Sequence, residues 1–393
     1  MHRLNPIEGL RAYLALWVLA GHVLVISGFQ PDKQSGFAWL MANNLQAVDV
    51  FIMVSGFVIF FLLDSKGETY REFICRRFFR LYPVFIVLFA ISIPLSLLQA
   101  WNLQHSHQYL TPWLTDYFTR EFNCSWQHWR WNVLWHVLML HGLVPDPWLH
   151  RSTALAFLGP AWSISLEWQF YLMAPLAYRA AVSQRPLYRI GISAFCVYLF
   201  LGRVFLPTDI YSGYITHGAF LPFRVEYFFV GAVSYFIFKN MRHFRTDAIF
   251  PVCACAALFL WHSGGDKFIP ICFWIMFMGM LCENPASYSA RILWPLFNHP
   301  IAQFLGRISY SIYLCHVLIM TAAQSVLLKY APGWSQSSHF WTLLGATTAG
   351  AILASAMLYR YVEAPGMRIG RDLALRFRKP SPGVLPADSP AAA

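Results

Sequence analysis

Runs of about twenty apolar residues, broken by short polar and basic segments, recur along almost the whole chain, and each is close to the length a helix needs to cross a bilayer. The pattern predicts ten helices, over roughly 8–28, 45–64, 81–100, 160–179, 187–206, 219–238, 247–262, 267–283, 304–328 and 339–361. One run, Trp131 to His141, is too short to span and reads as an interfacial or re-entrant helix capping a cavity. The expected fold is therefore an all-α polytopic membrane protein. A transmembrane domain fills residues 1–365, and 366–393 form a tail that is first basic, then Pro/Ala-rich and partly disordered.

Composition strengthens this picture. Of 393 residues, 58% are hydrophobic and only 12% charged, and the mean hydropathy of +0.47 lies far from that of a soluble domain this long. The net charge of +11 would suit a nucleic-acid partner only if the basic residues were pooled on one face. They alternate between loops instead. With the N-terminus inside, Lys33, Arg120, Arg130, Arg151, Arg203, Lys267 and Lys329 fall outside, and most of the other basic residues fall inside. By the positive-inside rule both termini are expected in the cytoplasm, and no nucleic-acid partner is expected.

A charged side chain at mid-bilayer costs about 2.5–3.5 kcal/mol on insertion scales, so one that is kept there has work to do. Arg11 and His22 both lie in the first apolar run, eleven residues apart. That spacing is close to three full turns, which puts them on one helix face about 16 Å apart along the axis. They are too far apart to touch and are placed to grip different parts of one long ligand.

Five other stretches put polar groups in apolar surroundings. Asp49 and Ser55 open the second helix. A cytosolic-side cluster, Cys75-Arg76-Arg77-Phe-Phe-Arg80-Leu-Tyr82-Pro83, combines guanidiniums with aromatics, which suits an anionic ligand such as a phosphorylated nucleotide, or lipid headgroups. Trp162-Ser163-Ile-Ser-Leu-Glu167-Trp-Gln169-Phe-Tyr171 opens the fourth helix, with Ser163, Glu167 and Phe170 on one face. His22 and Glu167 are expected at similar depth, where a carboxylate would fix the imidazole tautomer. Arg224 with Glu226, and the three-apart series Tyr310, Tyr313, His316, supply the remaining intramembrane polar groups. The histidines of the long outer segment, His105, His107, His136 and His141, lack a ligand spacing that suits zinc, so no metal is expected.

Together these stretches resemble the membrane-bound acyltransferase 3 family, whose members carry acetyl or other short acyl groups onto sugars and related hydroxyl acceptors. The residues that carry the resemblance are Glu8-Gly-Leu-Arg11 with His22, Val48-Asp49-Val-Phe with Ser55-Gly56-Phe, Arg76-Arg77-Phe-Phe-Arg80-Leu-Tyr82-Pro83, Trp162-Ser163 through Tyr171, Ser309-Tyr310-Ser-Ile-Tyr313-Leu-Cys-His316 and Val362-Glu363-Ala-Pro365. One departure stands out: Glu167-Trp168-Gln169 occupies a place where the family usually has a second carboxylate.

The resemblance implies a multi-pass O-acyltransferase of a bacterial-type inner membrane. An acyl-CoA, acetyl-CoA foremost, would be its co-substrate, with no bound cofactor, and a saccharide its acceptor. It places the essential pair on Arg11 and His22, and the meeting with acyl-CoA on Arg76, Arg77 and Arg80. His22 is then expected to act as general base, oriented by Glu167 or Asp49, with Arg11 on the donor's phosphates or on developing negative charge. Tyr82, Asp49, Ser55, Trp162, Ser163, Gln169, Tyr171, Arg224, Tyr310, Tyr313 and His316 complete the expected substrate and donor contacts. The rival expectation is a transporter or flippase that uses the same Arg, His and Glu groups as a relay.

Overall fold

The computed structural model describes residues 4–29, 36–145, 153–188, 190–191, 218–240, 268–282 and 294–377. The described residues are helical, with no strand among them. In chain order the α-helices are α1 (Asn5–Ile26), α2 (Gly36–Ala42), α3 (Leu45–Lys66), α4 (Tyr70–His105), α5 (Pro112–Gln127), α6 (Trp129–Val137), α7 (Trp162–Val182), α8 (Val225–Asn240), α9 (Ile269–Cys282), α10 (Pro300–Arg307), α11 (Ser309–Tyr330), α12 (Gln336–Leu358) and α13 (Ala364–Arg376). The expected span over 247–262, and 187–206 beyond its first residues, lie outside the described residues, as does the tail past residue 377.

Five described segments are long and apolar enough to cross a bilayer: α1, α3, α4, α11 and the continuous run Gln336–Arg376. Ten were expected. Of the other five, those over 187–206 and 247–262 lie largely or wholly outside the described residues. The described parts of α8 and α9 have 16 and 14 residues, and the residues that follow each lie outside the described ones. Ser163, Ser165, Glu167 and Gln169 dilute the apolar character of α7. The expected span over 304–328 is two helices, α10 and α11, parted at Ile308.

The α3 helix is the axis of the core. Ala47, Val50, Met53, Phe57 and Ile59 are all buried along it, and α1, α7, α8 and α9 pack around it. Its contact with α8 is unusually close because glycines meet backbone: a Cβ on Gly231 would collide with the Met53 carbonyl, and one on Gly56 with that of Phe228. At the far end of α3, Asp64 accepts hydrogen bonds from Tyr178 (2.5 Å) and Tyr235 and pairs with Lys239 (2.8 Å), which ties α3 to α7 and α8.

The 36-residue α4 starts on a complete capping box. The Thr69 hydroxyl accepts from the Glu72 amide, and the Glu72 carboxylate accepts from the Thr69 amide. Beyond α12 the chain does not leave as a tail at residue 365. A π-helical turn, Tyr359–Glu363, runs directly into α13, which lies along α4, with Gly366 and Gly370 against Pro83 and Phe79. The segment after α4 forms the short helices α5 and α6 rather than a span and buries His136 and His141 face to face, ring centroids 4.0 Å apart.

Candidate active site

Six helices line a cavity of about 160 Å³, with Phe228 contributed by α8. The α1 helix brings Glu8 and Arg11, α3 brings Ser55, α4 brings Arg77 and Arg80, and α7 brings Ser163, Glu167 and Tyr171; Tyr310 and Tyr313 of α11 close it. These residues share a wall because of local spacing. Arg77 and Arg80 are one turn apart on α4, Ser163, Glu167 and Tyr171 follow four-residue steps on α7, and Tyr310 and Tyr313 follow a three-residue step on α11. Arg11 joins Arg77 and Arg80 at this cavity, and Glu167, expected at the depth of His22, lines the same cavity instead.

The arginines differ in how they are balanced. Arg11 reaches Glu8, 3.5 Å away on the preceding turn. Arg80 pairs with Glu363, whose side chain is wholly buried and whose second oxygen accepts from the Ser311 hydroxyl at 2.8 Å. Arg77 lies over the rings of Phe73 (5.7 Å) and Tyr171 (5.9 Å), and its buried Nε has no hydrogen-bond partner. Among the described residues no carboxylate pairs with Arg77. An unmatched guanidinium beside a cavity is a ready binder for an anion.

Next to Tyr171, Glu167 accepts from Ser55 at 3.1 Å and from the Tyr171 hydroxyl on the same oxygen. It is therefore committed to α3 and to its own helix. The expectation that Glu167 or Asp49 orients His22 is not met. Asp49 is paired with Arg224, which also lies over the rings of Trp162 and Tyr227. The neighbours of His22 are Val18 O at 2.9 Å, Asn44 Nδ2 at 3.0 Å and His316 Nε2 at 3.3 Å. His22 lies outside the cavity lining, as three turns of separation from Arg11 require. Tyr313, one turn before His316 on α11, bridges the two places.

Arg76, Tyr82, Gln169, Trp162 and Arg224 stand away from the cavity. Arg76 is held by Glu68 at 3.0 Å, and Tyr82 stacks on Phe78 with ring centroids 4.6 Å apart. Gln169 is a brace: it donates to Ala219 O (2.8 Å) and Ser165 O (3.1 Å) and accepts from the Leu221 amide (3.0 Å). Trp162 and Arg224 belong to the Asp49 pair. Ser163 lines the cavity and donates to Pro160 O at 3.2 Å. Tyr310 and Tyr313 donate to Leu81 O (2.7 Å) and Pro160 O (3.3 Å), so their rings form the cavity wall while their hydroxyls hold backbone.

Sequence reasoning did not single out Asn44 as a partner of His22, because nothing in its surroundings marks it. The Glu8–Arg11 pair carried a readable signal, the i,i+3 spacing of opposite charges.

Residues 5–360 match the acyltransferase 3 family, described as an acyltransferase domain. The acyltransferase MdmB of Streptomyces mycarofaciens is 28% identical over 93% of this chain and 92% of its own. A putative O-acetyltransferase of Staphylococcus aureus is 23% identical over 94% of this chain, and the peptidoglycan O-acetyltransferase OatA of Listeria monocytogenes is 24% identical over 91%. The chain spans only 58% and 55% of these last two proteins. No solved structure matches the chain. With the family match running from α1 through α12 and across every wall of the cavity, the chain belongs to the acyltransferase 3 family.

Proposed function

We propose that this protein is an inner-membrane O-acyltransferase that moves a short acyl group from an acyl-CoA to a hydroxyl of a saccharide or glycan. The observation that carries the reading is the cavity with three arginines, of which Arg77 lacks a carboxylate partner among the described residues. A CoA thioester supplies the phosphates such a group binds, and acetyl-CoA is the simplest such donor. The name of the OatA relative supports a glycan acceptor.

At about 160 Å³ the cavity is smaller than the roughly 300 Å³ at which drug-sized ligand sites begin. It therefore takes one part of the donor, not all of it. The thioester end reaches past Tyr313 toward His22. There the His22 imidazole takes the proton of the acceptor hydroxyl while the oxygen attacks the thioester carbonyl. The C–S bond breaks, and the CoA thiolate leaves and is protonated from solvent. General-base assistance of this kind contributes a factor of about 10² to 10⁴. Arg11 and Arg77 hold the donor, and Arg80 keeps the α4 wall in place through Glu363.

The test is transfer by the purified full-length protein in lipid nanodiscs, with acyl-labelled CoA and a hydroxylated saccharide. Label on the saccharide, dependent on protein, is the expected result. Movement of the saccharide across a membrane without its modification would favour the transporter reading instead.

A further inference from the structure

His316 is fully buried in α11, and its two ring nitrogens face different groups. Its Nδ1 lies 2.7 Å from the Tyr313 carbonyl, and its Nε2 lies 3.3 Å from Nδ1 of His22. A carbonyl only accepts, so Nδ1 of His316 carries the hydrogen. In the neutral ring Nε2 then holds a lone pair, and that lone pair points at His22.

The same accounting settles His22. Its Nδ1 faces two acceptors, the Val18 carbonyl at 2.9 Å and the His316 lone pair at 3.3 Å, and one donor, Asn44 Nδ2 at 3.0 Å. Asn44 Nδ2 has its own acceptor in the Val18 carbonyl, 3.3 Å away. A single hydrogen on His22 Nδ1 is shared between the two acceptors, with Asn44 giving its own hydrogen to Val18 O, whereas without it the Nδ1 lone pair faces the lone pairs of both. The proton therefore sits on Nδ1, and the basic nitrogen of His22 is Nε2.

We infer that His316 is the positioning residue of His22, an imidazole lone pair that fixes the tautomer in which Nε2 receives the acceptor's proton. It takes the place of the carboxylate that usually orients a catalytic histidine. A neutral imidazole does this at 3.3 Å without burying a net charge between α1 and α11. The inference rests on His22 being the base of the proposed transfer.

Two measurements on the full-length protein in nanodiscs test it, and the first does not depend on activity. In protein labelled with ¹⁵N-histidine, the resonances of His22 are assigned by their loss in His22→Ala. They are expected to report a protonated Nδ1 in the wild type and in His316→Gln, whose amide oxygen replaces the lone pair. A mixture of tautomers is expected in His316→Leu. An unprotonated Nδ1 in the wild type, or a tautomer that His316→Leu leaves unchanged, overturns the inference.

The second is a kinetic split. His316→Leu is expected to lower kcat at least tenfold with the donor KM within about twofold, His316→Gln to restore most of it, and His316→Leu to add nothing in a His22→Ala background. Equal losses in the Leu and Gln variants, or a further loss in the double variant, overturn it. If His316→Leu does not fold, His316→Asn, too short to reach His22, takes its place with the same expectations. Failure of wild-type transfer would overturn the enzymatic reading while leaving the tautomer result to stand or fall separately.

Discussion

The carboxylate of Glu363, wholly buried in the π-helical turn, holds the Arg80 guanidinium on one oxygen and the Ser311 hydroxyl on the other. This one side chain joins α4, α11 and the last turn before α13 behind the cavity. Removing one partner of a buried pair leaves the other charge uncompensated, at a cost of about 3–5 kcal/mol. Glu363→Ala is expected to lower the thermal midpoint in detergent sharply, with Glu363→Gln between it and the wild type because the Ser311 contact survives. A midpoint unchanged in Glu363→Ala would show that Arg80 finds another partner.

Arg77 and Arg76 are neighbours in sequence with different roles. Arg77 lines the cavity under two rings, while Arg76 is engaged by Glu68. A hydrogen bond to a charged group contributes about 1.5–3 kcal/mol, or roughly 10- to 100-fold in affinity. Arg77→Ala is expected to raise the donor KM by that factor, and Arg76→Ala by no more than about twofold. Equal effects in steady-state kinetics would remove Arg77 from its assigned place.

The α3–α8 contact depends on the absence of side chains at two positions. A Cβ at Gly231 meets the Met53 carbonyl, which belongs to helix backbone and has no room to turn away. Gly231→Val is expected to destabilise the protein by at least the 1–3 kcal/mol typical of overpacking, read as a lowered midpoint and a loss of monodisperse protein. Wild-type stability would mean that the helices sit further apart than described.

His136, outside the spanning segments, is buried against Phe89 and His141, and burial together with the neighbouring imidazole pushes its pKa well below the ordinary range. A histidine whose folded pKa is depressed contributes full stability above its unfolded pKa, near 6.5, and loses it as pH falls below that value, because only the unfolded chain then takes up the proton. The wild-type thermal midpoint should therefore drop between pH 7.5 and 5.5 by more than that of His136→Phe, which keeps the ring stack. Equal drops would place the acid sensitivity elsewhere.

How much of this was legible in the sequence depended on the range of the interaction. Ser163 and Glu167 are neighbours within one helix, so spacing alone put them on a shared face, whereas Tyr171, not the expected Phe170, completes that wall of the cavity. The apolar length of α1, α3, α4 and α11 announced them as spans. The partners of His22 and Asp49 were misjudged because they lie far along the chain. His316 is 294 residues from His22 and Arg224 is 175 from Asp49, and matching depth in a bilayer does not say which helices touch. The π-helical turn that carries Glu363 leaves no mark in the apolar pattern.

The central claim, that His22 takes the acceptor's proton in an acyl transfer fed through the arginine-lined cavity, is tested most directly by single-turnover transfer of labelled acyl from CoA to a saccharide in nanodiscs, comparing wild type with His22→Ala at saturating donor. The account predicts a loss of about 10² to 10⁴ in the transfer rate, with donor binding and thermal midpoint retained. Transfer by His22→Ala at the wild-type rate would contradict it.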